Sequence, residues 1–296
     1  MSRLPIHPLY TSLFPTSFRK KASFPYRYLL PCILSLLLWT TPRTASAQCP
    51  MENTAFNPGE DIRYELYFNW KFIWKKVGTA RFTTRSACYG NQPAYRIDLV
   101  TGTAGFVDKF FRMRDTISTI TSLRLEPLFY RKAAAEGKNY YIDQAHFSYA
   151  DGHTHVKLHQ LKNHTKNYHG KYKGEACVYD MLSIMARARS WNPAGFKKGQ
   201  RIRFLMADAE NVEKELLLYR GKEVVESKDG HHYRCLVFSF YEDNDEDRDR
   251  ELIRFFITDD ANHLPIRLDM NLNFGSAKAF MKSVKGNRHP LTSRVK

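Results

Sequence analysis

Apolar side chains recur at every second position through much of this chain, and that spacing constrains the fold more than any other feature. Ile62, Tyr64, Leu66 and Phe68 alternate with Arg63, Glu65 and Tyr67, and Tyr95, Ile97 and Leu99 repeat the pattern. A strand turns successive side chains to opposite faces, so period two marks half-buried strands. Further alternating runs lie at Met113 to Ile117, Tyr233 to Val237, Ile253 to Ile257 and Ile266 to Phe274. Asn57-Pro58-Gly59, Asp151-Gly152, Asp229-Gly230 and Phe274-Gly275 punctuate them as turns. Connections this short leave no room for crossover helices, which predicts antiparallel pairing in a meander.

One helix stands out. Val178, Met181, Leu182 and Met185 fall at i, i+3, i+4 and i+7, so the spacing predicts a helix over Val178 to Arg189. Arg187 and Arg189 lie near its end, where cations suit the dipole, and Asn192-Pro193 and Gly195 stop it. A lone amphipathic helix among many strands buries its stripe most economically on the concave side of a bent sheet. The expected fold is therefore mainly β: a curved antiparallel meander sheet, half-barrel to barrel-like, packed around one amphipathic helix. A shorter helical turn is expected around Thr103 to Lys109. No fixed-period repeat and no linker divides residues 48–281, which predicts a single domain there.

The formal charge of +16 suggests a nucleic-acid binder until it is apportioned. Residues 1–47 hold six basic residues and no acid, and residues 282–296 hold Lys282, Lys285, Arg288, Arg294 and Lys296 with no acid. The intervening segment is close to balanced. The basic tail, 282–296, offers little to bury and is expected to fray. It lacks the interleaved aromatics that stack bases, so no nucleic-acid partner is expected.

Arg19, Lys20, Lys21 and Arg27 precede the apolar run Tyr28 to Trp39, which is followed by Ala45-Ser46-Ala47. This reads as an export signal, residues 1–47, cut after Ala47. A membrane anchor is the alternative, but a short run interrupted by Pro31 falls well below the roughly 20 residues needed to cross a bilayer. Cys49 lies just beyond the cut, yet Gln48 stands where a lipoprotein signal wants a small residue, which argues against lipid attachment. No other segment is long and apolar enough to span a membrane as a helix. The expected location is the periplasm or cell envelope.

After cleavage Cys49, Cys88, Cys177 and Cys235 remain, an even number for an oxidising compartment. Three pairings are open; Cys49 with Cys88 and Cys177 with Cys235 is preferred because each joins neighbouring parts of the chain. Four buried free thiols are the alternative.

Few motifs carry chemistry. His153, His155, His159, His164 and His169 cluster, but Lys157, Lys162 and Lys166 among them repel a cation, and a solvated hairpin is the better reading. Asp243, Asp245 and Asp247 imitate the first ligands of a calcium loop, which then fails at Arg248 and Arg254. No metal and no cofactor is expected. The chain contains no G-x-S-x-G, H-E-x-x-H, P-loop or G-x-G-x-x-G motif. Glu60, Asp115, Asp180 and Glu223 are carboxylates that could meet as an acid/base pair, although Asp180, near a helix start, suits a cap.

Asn57-Pro58-Gly59-Glu60 with Tyr64, Gly78-Thr79-Ala80, Arg114-Asp115, Tyr179-Asp180-Met181-Leu182-Ser183, Gly221-Lys222-Glu223-Val224, and Leu264-Pro265-Ile266 with Gly275 occur in this order. Together they resemble the domain of unknown function 3108 family over roughly residues 55–281. The resemblance implies an exported bacterial envelope protein of antiparallel β architecture and carries no catalytic residue with it. In outline that layout is similar to lipoprotein carriers, in which a curved sheet around a helix leaves an apolar pocket; this is analogy at the level of fold. Tyr64, Phe68, Tyr95, Phe111, Phe255 and Phe274 on strands, with Met181 and Met185 on the helix, are the candidate groove lining, and Phe82 and Phe110 add to the aromatic load. The same residues could fill a solid core, which is the default. The expected function is a non-enzymatic envelope binding module for lipid, another apolar or amphipathic ligand, or an envelope partner. A carboxylate-based hydrolase of envelope polymers and a purely structural assembly module are the alternatives.

Overall fold

A computed structural model describes residues 49–70, 73–109, 112–242, 251–272 and 275–295. The expected export signal, Phe110, Phe111, the acidic run 243–247 and Phe274 lie outside the described residues. These described residues belong to one compact unit.

The alternating runs become strands. The first arm comprises β1 (Asp61–Trp70), β2 (Ile73–Tyr89), β3 (Gln92–Thr103) and β4 (Met113–Ser122), then β5 (Pro127–Glu136), β6 (Asn139–Ala150), β7 (His153–Lys162) and β8 (Lys166–Gly174). The two-residue β9 (Val178–Tyr179) leads into the helix α1 (Met181–Arg189). The second arm comprises β10 (Arg201–Asp208), β11 (Asn211–Glu226), β12 (His232–Glu242), β13 (Glu251–Thr258), β14 (Pro265–Leu272) and β15 (Gly275–Lys285), followed by β16 (Arg294–Val295). A short 3-10 turn at Gly105–Lys109 fills the place where a helical turn was expected.

Each arm is an antiparallel meander, and the two join where β1 pairs with β15, giving the order β8 to β1, then β15 down to β9. The expected mainly β, antiparallel meander fold is thus observed, with one parallel exception, β9 beside β10. The sheet is not closed by hydrogen bonds, but its ends approach each other. A Cβ added to Gly170 on β8 would lie 1.8 Å from the Glu210 carbonyl oxygen in the β10–β11 turn, so only glycine permits that contact.

The register defines the face that receives α1. Ile117 and Thr119 on β4 lie opposite Leu99 and Ile97 on β3, which lie opposite Phe82 and Thr84 on β2. On the other side Tyr130 of β5 continues to Ala145 of β6 and Leu158 of β7. Leu182 and Ala186 of α1 join these residues in the main core. Directly opposed residues point to the same side, so the core is continuous across the sheet. A second, smaller core gathers Leu217, Tyr219, Leu236 and Phe238, and β12 is therefore buried on both faces, since Tyr233, Cys235 and Val237 belong to the first.

Three expectations are corrected. The helix begins at Met181 rather than Val178: the buried Asp180 side chain caps it, accepting from the Leu182 and Ser183 amides at 3.0 Å each, and Val178 is a strand residue paired with Leu205. The periodic stripe ran one turn past a cap that only the extended backbone of Asp180 reveals.

The preferred cysteine pairing does not form. Cys49 is bonded to Cys177, with Cα atoms 5.5 Å apart across a separation of 128 residues, while Cys88 is exposed and free and Cys235 is buried and free. The segment before β1 donates from the Met51 amide to the Arg124 carbonyl in the β4–β5 turn at 2.8 Å and meets Cys177 just ahead of β9, so nearness in space departs from nearness in sequence. Burial pushes the Cys235 thiol up to about 12, which keeps it an inert apolar side chain.

Residues 282–295 of the basic tail, expected to fray, are instead held against the fold. Lys282 and Lys285 continue β15, and Lys285 lies opposite Asp61. Arg288 donates to the Asn53 carbonyl at 2.6 Å, the buried Ser293 hydroxyl donates to Asp260 at 2.6 Å, and β16 pairs with β12. The anchors are polar and come from distant loops, so a search for local apolar material does not detect them.

Candidate binding surface

The concave space around α1 is occupied by packing. Met181 and Met185 lie against the main core, Tyr64 is buried and donates its hydroxyl to the Pro265 carbonyl at 2.7 Å, and Tyr95 meets Phe56 edge-on at 5.5 Å. Thr119 of β4 donates to the Asp180 carboxylate at 2.8 Å, fixing the helix start to the sheet. Burial raises the Asp180 carboxyl, and its hydrogen bonds from Ser183, Thr119 and Leu182 oppose that rise. Register places Phe68 and Phe255 on the face that carries Tyr64, through Ala277 and Met270 and through Leu268 and Ala279, yet Phe255 packs against the second core. Phe111 and Phe274, also expected there, lie outside the described residues.

The open apolar surface lies one step beyond the helix. Asn192 caps a 3-10 turn, Pro193–Gly195, accepting from the Ala194 amide at 3.0 Å, and this turn directs Trp191 and Phe196 onto the second core. Phe196 meets Tyr219 at 5.7 Å and Phe238 at 6.0 Å, both edge-on, and Trp191 at 6.3 Å. Beside them opens a groove of about 420 Å³ lined by Met51, Tyr179, Ile184, Trp191, Phe196, Ile202 and Phe204, with Arg187 and Arg203 among them. Arg187 donates to the Cys49 carbonyl and lies over the Tyr179 ring at 5.4 Å, so the disulfide-bonded segment holds its guanidinium at the groove. A second depression of about 410 Å³ shares Trp191 and Asn192 and adds Asp259, Asp260, His263 and His289. In the sequence, Asn192-Pro193 and Gly195 signalled only a helix stop. Trp191 followed five residues later by Phe196 was the overlooked sign that the stop carries apolar weight.

The four carboxylates singled out from the sequence do not form one cluster. Glu60 is taken up by Arg189, Asp180 caps α1, and Glu223 is exposed on β11 opposite Cys235. Asp115, 8% exposed, has an oxygen with no hydrogen-bond partner among the described residues, and burial together with the neighbouring Glu136 carboxylate raises it to about 6. Lys132 faces the same side of the sheet, opposite Asp143 and Ile117, and its charge opposes the burial that raises Asp208. The histidines lie on the β7–β8 hairpin, where His159 stacks on His169 at 4.8 Å and His153 lies 6.4 Å from His155. Among the described residues no three His, Cys, Asp or Glu side chains converge as a metal site.

The profile of the DUF3108 proteins of unknown function matches residues 63–282. The chain belongs to the DUF3108 family. No curated protein matches it in sequence. Among solved structures, the β-barrel-like DUF1849 protein from Brucella abortus superposes with a TM-score of 0.52 at 13% identity, covering 78% of this chain and 98% of that one. The likeness shows that this DUF3108 chain has a β-barrel-like fold. A protein of YmcC-like fold from Bacteroides fragilis covers 80% of this chain and 100% of its own, but at 8% identity and a TM-score of 0.33 the likeness carries no further argument.

Proposed function

We propose that this DUF3108 protein is an exported, non-enzymatic envelope binding module that takes an amphipathic ligand with an anionic end in the groove beside Trp191. The groove itself carries this reading. Its walls are apolar and aromatic, and Arg187 among the lining residues supplies positive charge, the combination that accommodates an acyl chain ending in carboxylate or phosphate. Its volume of about 420 Å³ suits a small lipid or part of a larger one. The amino-terminal run of basic, apolar and small residues supports export.

Calorimetric titration with dodecyl phosphate tests the reading. Saturable binding is expected, weakened at least tenfold by Trp191→Ala and by Arg187→Gln. Equal affinity in both variants, or no saturable heat with any single-chain amphiphile, overturns it.

A second reading is a carboxylate-based hydrolase of envelope polymers, supported by Asp115 beside Glu136: a carboxyl raised to about 6 is suited to give a proton near neutral pH. Release of soluble fragments from purified peptidoglycan, abolished by Asp115→Asn, would favour it over the binding module.

A further inference from the structure

The outward face of β5–β8 is a second surface, distinct from the groove. We propose that it docks the protein onto an anionic lipid bilayer. Register places Arg131 opposite Gln144, His146 opposite Lys157, Lys157 opposite Lys171, and His155 opposite Lys173 on that one face. Directly opposed like charges on neighbouring strands are unfavourable, so a sheet that stacks Lys157 on Lys171 retains a repulsion that an anionic partner relieves. Arg131, Lys157, Lys171 and Lys173 have no ion-pair partner among the described residues. Alternation sends Asp143 of β6 to the opposite face, where Gln160 donates to it at 2.8 Å. Crossing the sheet on the outward face, the first carboxylate met is Asp98 on β3, already held by Arg96 and Arg85.

Two features favour a bilayer over a soluble polyanion. The cations sit on β5, β7 and β8, across a width of four strands, about 14 Å at the usual spacing of roughly 4.8 Å, which is a surface rather than a pocket. Half-buried Phe129, Ile142 and Leu161 lie on the same face, and Phe129 packs on the His146 ring at 4.8 Å, giving apolar contact among the charges as an interfacial surface requires. Lysines on an edge strand also discourage sheet-to-sheet pairing, but that role ends at β8 and does not account for the charges on β7 and β5.

Sedimentation with vesicles tests the proposal. The protein is expected to bind phosphatidylcholine vesicles containing phosphatidylglycerol, to ignore phosphatidylcholine alone, and to dissociate at high salt. Lys157→Gln, Lys171→Gln and Lys173→Gln together are expected to lower partitioning on the order of a hundredfold, at about fivefold per cation near an anionic surface. The same charge removed elsewhere, at Lys75, Lys198 and Lys214, is expected to leave it unchanged. If the triple variant melts differently from the parent, Arg131→Gln with Lys157→Gln replaces it. Equal loss in both sets, binding to neutral vesicles, or displacement by polyphosphate at matched charge overturns the proposal, the last pointing to a soluble anionic polymer instead.

Discussion

The Glu60 carboxylate and the Arg189 guanidinium meet in a two-point pair, Oε1 to Nη1 at 2.6 Å and Oε2 to Nη2 at 2.8 Å, with side chains 0% and 2% exposed. Arg189 also donates to the Asn262 carbonyl, from Nε at 3.2 Å and Nη2 at 3.0 Å, and lies over the Phe56 ring at 5.2 Å. One side chain thus ties the entry to β1, the end of α1 and the β13–β14 loop together. Removing a single partner strands a charge without solvent, so Glu60→Gln is expected to lower stability by about 3–5 kcal/mol. Glu60→Leu with Arg189→Met should recover most of that loss. Urea midpoints at constant slope are the measurement, and a single variant within about 1 kcal/mol of the parent would refute the pair's structural role.

The Cys49–Cys177 bond closes a loop spanning 128 residues. Constraining the unfolded chain over such a length contributes roughly 3–5 kcal/mol. Cys49→Ser with Cys177→Ser is therefore expected to lower Tm markedly, and reductant should do the same to the parent. Thiol titration provides an independent check: Cys88 should react in the folded protein and Cys235 only on unfolding. An unchanged Tm under reduction would contradict this.

Asp115 gives a pH dependence with a definite sign. Its folded pKa, about 6, lies above the ordinary 3.8, so between those values the folded protein holds the proton more tightly than the unfolded chain. Stability from this group is full below pH about 4, falls as pH rises towards 6, and stays reduced above it. Asp115→Asn should flatten that decline and raise stability at pH 7 on the order of 1 kcal/mol, the shift being discounted for solvent screening. Melting curves across pH 4 to 8 check it; an identical slope in parent and variant would exclude Asp115 as the source.

The helix shows how far local signals reach. Leu182 and Met185 were legible as a stripe because helical periodicity is a property of neighbouring residues. Its first turn was misplaced because Val178 obeys the same period while its backbone pairs with β10. Trp191 and Phe196 escaped notice for a related reason: what they cover, Tyr219 and Phe238, lies more than twenty residues away on strands whose pairing no local pattern discloses. Of the expected groove residues, Tyr64, Tyr95, Met181 and Met185 pack in the main core and Phe255 against the second, while Phe68 is half-buried, since alternation says that a side chain is buried without saying whether its opposite side is full.

Alternation and turn residues determined, from the sequence alone, that this chain forms an antiparallel meander with one amphipathic helix, because strand period and turn chemistry act over a few bonds. Tertiary structure decided that β1 pairs with β15, that Cys49 finds Cys177, that Arg189 neutralises Glu60, and that the basic tail is held in place. Each of those contacts joins residues far apart along the chain, and they form only once the bending of the sheet has brought its distant strands together.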